Sequence, residues 1–175
     1  GLKMLGKRTS EGQYLSQGSF SKYLMTLLPK SSESGELVTT SATAATLEAR
    51  PFFELYKNGQ DKIIAQVVLD YFSAVAEAYP DAWFKNTDDY LIRKTVGFAA
   101  LIKLLRKLLP TMLRSDLVSF QHFEAILVQI RAQYPEEKWK VGEFSSSDSD
   151  AGKVANAMYE CVARRVEEIL SSVAK

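Results

Sequence analysis

The sequence is poor in the residues that most enzymes rely on. Its 175 residues hold one cysteine, Cys161, and one histidine, His122. An internal disulfide is therefore excluded, and so is a Cys/His zinc site built within one chain. No apolar run approaches the ~20 residues a membrane-spanning helix needs, and Leu2–Leu5 is too short for a signal-peptide core. A phosphate-binding GxxxxGK[ST] loop is missing as well. The carboxylate pairs Asp88-Asp89, Glu136-Glu137 and Glu167-Glu168 are adjacent in sequence, so they diverge on a helix and make poor metal or acid–base pairs. Position 1 is not a methionine, and the glycine-rich start, GLKMLGKRTSEG, carries no helical or strand pattern. The expectation is a non-enzymatic, cytoplasmic chain that needs no metal, cofactor or membrane and is a C-terminal fragment of a longer protein.

What is present is ordinary globular composition, 46% hydrophobic and 25% charged. At this length a single domain can bury ~70% of its unfolded surface without staples. The charge is unevenly placed. Twenty-two basic residues face 21 acidic ones, a net +1, yet the window 90–115 has no acidic residue at all. It carries Arg93, Lys94, Lys103, Arg106, Lys107 and Arg114. Such a cluster is the footprint of a polyanion contact, with a solvated helix face as the plainer alternative.

That window also contains the most periodic stretch. Phe98, Leu101, Ile102, Leu105, Leu108 and Leu109 form one apolar stripe of a helix, and Lys103, Arg106 and Lys107 lie on another face. Asp88 or Asp89 is placed to cap its start, and Pro110 ends or kinks it. Gly97 costs a helix ~1 kcal/mol relative to alanine, so it implies close packing against another helix or, less simply, a backbone approach to a phosphate shared with Thr95.

The remaining pattern predicts an all-α fold. Five main helices fall near 16–28, 60–79, 89–109, 116–134 and 150–173, in one irregular bundle. Ser16 or Ser19 caps the first, Ser115 or Asp116 the fourth, and Ser149 or Asp150 the last. Residues 1–15 form an irregular lead-in and 30–50 a long loop, with a weak helical turn over Thr43–Ala49. Asn58-Gly59 marks a turn, and Tyr79 ends a helix because Pro80 follows it. Tyr79-Pro80…Trp83 echoes Tyr134-Pro135…Trp139; a helix stop with a tryptophan folded onto the core accounts for it, and an αα unit used twice is the alternative. Trp83 and Trp139 are both expected to be buried. His122, among Phe120 and Phe123, reads as a packed or capping histidine, and Cys161, in line with Met158 and Val162, as a buried thiol.

Three stretches together resemble a known family. They are YLSQGSFSKYLMTLLPK, VVLDYFSAVAEAYPDAW and YLIRKTVGFAALIKLL. The most specific part is Tyr71, Phe72, Ala74, Pro80 and Trp83, followed by Lys94, Thr95, Gly97, Ala100, Leu101, Leu104 and Leu105. Over roughly residues 14–110 the chain resembles the C-terminal helical region of the bacterial DGQHR-domain family, which includes the regulator of DNA phosphorothioation islands. The family's naming motif belongs to an upstream ParB-like domain, and Asn58-Gly59-Gln60-Asp61-Lys62 is only a chance near miss to it. The resemblance implies a bacterial or phage setting of DNA modification, defence or mobile elements, with DNA, an upstream ParB-like domain or other protein subunits as partners. Two readings follow: an accessory domain that touches DNA through the six basic residues, or an interaction or oligomerisation module without nucleic acid.

Overall fold

The computed structural model describes residues 2–3, 15–29, 42–85, 89–143 and 147–173. The fold is all-α. Nine helices occur among the described residues: α1 (Gln17–Leu24), α2 (Ala44–Ala49), α3 (Phe53–Lys57), α4 (Asp61–Ala78), α5 (Pro80–Phe84), α6 (Thr95–Arg114), α7 (Phe120–Gln133), α8 (Asp148–Glu160) and α9 (Val166–Val173). A 3-10 turn extends α1 over Met25–Leu27, and another spans Glu136–Trp139. β-pairing among the described residues is confined to a two-residue parallel match of Leu2–Lys3 with Leu15–Ser16 and an isolated antiparallel bridge between Tyr90 and Lys140.

α6 is the centre. Its twenty residues are buried on nearly every side, from Val96 to Met112. α4 reaches it through the Tyr71 hydroxyl, which donates to the Leu101 carbonyl at 2.8 Å, and through Phe72, stacked on Phe98 at 5.3 Å. α7 lies beside α4, with Tyr71 and Phe123 edge to face at 5.3 Å. α8 covers a further side of α6 and makes its most extensive helix contact there. α9 returns along α7.

Local chemistry explains most element ends. The Ser16 hydroxyl accepts from the Ser19 amide, and Thr43 does the same for Thr46 at the start of α2. Gly59 turns the chain at φ 65°, and Pro80 occupies the first turn of α5.

Several expectations require correction. The central helix starts at Thr95, not near 89. Residues 89–91 pair with 139–141 before the chain turns at 92–93: the Leu91 amide donates to the Trp139 carbonyl (2.7 Å) and the Val141 amide to the Asp89 carbonyl (2.9 Å). Lys94, not Asp89, stands at the N-cap position; Asp88 lies outside the described residues. Pro110 does not end the helix, which runs on to Arg114. One amide is lost there, but fully buried Leu108, Leu109 and Met112 hold both sides of the proline in the core. α7 begins after Ser119, because the chain turns at Asp116 with φ 55°. The last helix is two helices. The Gln133 side chain donates to the Cys161 carbonyl (3.1 Å) where α8 ends, and the chain turns so that α9 can reach α7. Ser147, not Ser149 or Asp150, caps α8. The loop placed at 30–50 holds α2 from residue 44; residues 30–41 lie outside the described part, as does most of the lead-in. Trp139 is fully buried, but Trp83 is only half-buried.

Candidate functional site

The basic run of α6 faces protein more than solvent. Lys103 Nζ donates to the Asp148 carboxylate at 2.9 Å and to the Asp148 carbonyl at 2.8 Å. The Tyr23 hydroxyl donates to the other carboxylate oxygen at 3.2 Å, so α1, α6 and α8 meet at one aspartate. Hydrogen bonding from Lys103 holds the Asp148 carboxyl below the usual range. Burial, then the Asp148 charge, raises the Tyr23 phenol. One turn further, Lys107 Nζ lies over the Tyr159 ring, 5.2 Å from its centre. Small residues line the same contact: Ala99 and Ala100 of α6 are fully buried, as are Ala151 and Ala155 of α8.

The other expected residues are dispersed. Arg93 and Lys94 are half-buried in the stretch before α6. The Lys94 amide donates to Leu91, and its carbonyl accepts from Phe98 (both 2.9 Å). Arg106 is half-buried, and Arg114 is exposed at the far end of α6, 3.4 Å from the Thr111 hydroxyl. Thr95 is exposed.

Gly97 has a definite role, different from the expected packing against another helix. A Cβ there would lie 2.6 Å from both the Cα and the carbonyl oxygen of Ile92, and closer still to the Leu91 oxygen. The missing side chain lets α6 sit directly on the stretch before it. The close neighbour is the chain's own backbone at Leu91 and Ile92 rather than another helix.

His122 Nδ1 lies 2.7 Å from the hydroxyl of Ser119 at the N-cap position of α7, a side-chain pair that leaves the helix backbone uncapped. The Cys161 thiol is half-buried, donates to the Ala157 carbonyl, and is raised by burial.

The two Tyr-Pro junctions, which the sequence shows 55 residues apart, meet in space. The Tyr79 hydroxyl donates to the Tyr134 carbonyl at 2.9 Å. Both tyrosines stand edge-on to Trp139, each at 5.9 Å. The Glu136 carboxylate, nearly buried, accepts from the Asp81 amide at 3.1 Å, with Arg131 at 3.9 Å. Nothing in the sequence places Asp148 or Tyr159 against the basic run, and Glu136 stands there only in an adjacent carboxylate pair and in the second junction. The likeness of the two Tyr-Pro…Trp junctions is the sequence signal that leads to Glu136.

Two surface hollows accompany these features. One, of about 350 Å³, lies by Tyr134, Lys138, Glu143, Asp150 and Lys153 and is ringed by charges already paired. The other, of about 500 Å³, runs between α7 and α9 over Ala125, Val128, Ile169 and Val173. Among the described residues no cluster of acidic, histidine or cysteine side chains is arranged to hold a metal, and no helix is long and apolar enough to cross a membrane. No family profile, curated protein or solved structure matches the chain.

Proposed function

We propose that this chain is a non-catalytic accessory domain that works through protein contacts, one helical domain of a longer cytoplasmic protein of the DGQHR type. The observation that supports protein over DNA is the engagement of Lys103 by Asp148 and of Lys107 by Tyr159. These two residues are the middle of the basic run, and they hold α8 onto α6. A side chain committed in this way has less to offer a phosphate. The family setting, in DNA modification, defence or mobile elements, rests on the motif from Tyr71 to Leu105 alone, and an upstream ParB-like domain or another subunit is the partner it suggests.

The second reading keeps DNA as the partner. It is favoured by the absence of any acidic residue from 90 to 115, and it would run through Arg93, Lys94, Arg106 and Arg114. Phosphate contacts of this kind position without reading sequence and weaken with salt. The test is a titration of the chain against short duplex DNA at low salt, with Arg106→Glu/Arg114→Glu alongside, since changing Lys103 or Lys107 would also disturb packing. The expected result is no measurable binding by the parent. Salt-sensitive binding that the double change weakens about tenfold or more would replace the protein-contact reading with the DNA one.

A further inference from the structure

We draw no further inference here: the strongest candidate, the apolar groove between α7 and α9 lined by Val128 and Ile169, carries nothing, because no feature of the structure shows what covers it and Arg165 at its rim is already paired with Glu168.

Discussion

The two Tyr-Pro junctions are written in nearly the same residues and live in different surroundings. At the first, Pro80 leads straight into α5, Trp83 rests half-buried on Phe72, and Asp81 pairs with Lys85 on the surface. At the second, Pro135 leads into a 3-10 turn, Trp139 is 0% exposed, and Glu136, the counterpart of Asp81, turns inward to cap the first junction's backbone. The difference lies in position within the fold. The second junction is clasped between the first and the stretch 89–91, while the first has solvent on one side. A local pattern therefore sets where the helices stop, and long-range packing decides which copy becomes core.

Breaking that asymmetry should give unequal costs. Trp139→Ala removes a fully enclosed indole and should cost about 3–5 kcal/mol. Trp83→Ala, at the equivalent place, should cost only about 1–2 kcal/mol for its partial burial. Urea denaturation of the two variants decides it, and equal losses would mean the junctions are equivalent in solution.

The acidic pair sharpens the same contrast. Glu136→Ala leaves the Asp81 amide without its acceptor in a nearly buried place and should cost about 1–3 kcal/mol. Asp81→Ala loses only an exposed ion pair and should stay below about 1 kcal/mol. A larger loss at Asp81 than at Glu136 would reverse the assignment of inner and outer junctions.

The smallest effect is on pH. Burial, and secondarily the Glu143 charge, pushes the Tyr134 phenol up to about 12, and burial raises Tyr79 and Tyr71 as well. An unfolded tyrosine ionises near ~10. Because the folded value is the higher one, the contribution is complete below about pH 10 and drains away as pH climbs through the folded values. An ultraviolet tyrosinate titration should show a late-ionising group, with stability falling across that same range. Ionisation of every tyrosine near the ordinary value, with the fold intact, would contradict the enclosure of the second junction.

Much of the helix framework was legible because it depends on near neighbours. The Ser16 cap, the Asn58-Gly59 turn and the stops before Pro80 and Pro135 are each decided within a few residues. Errors arose where distant segments intervene. The true start of α6 depends on pairing with residues 139–141, and the break at Cys161 on a side chain from α7. Pro110 does not stop the helix because the core around Leu108, Leu109 and Met112 outweighs its local cost. The candidate site was legible as charge but not as geometry. Six basic residues without an acidic neighbour look like an open face in sequence, and only the fold brings Asp148 to Lys103 from 45 residues away.

The hydrogen bond between Tyr23 and Asp148 spans 125 residues of chain. Closing so long a loop costs entropy that grows, slowly, with its length, and one partly exposed bond offsets little of it. This link therefore forms late as the chain folds, after α4, α6 and α7 have assembled by shorter-range contacts. It is also an early link to open in the finished molecule, since α1 is short and tied down at few points. Phe20 and Tyr23 both rest on Phe98, so opening this link would bare the first turns of the central helix to water.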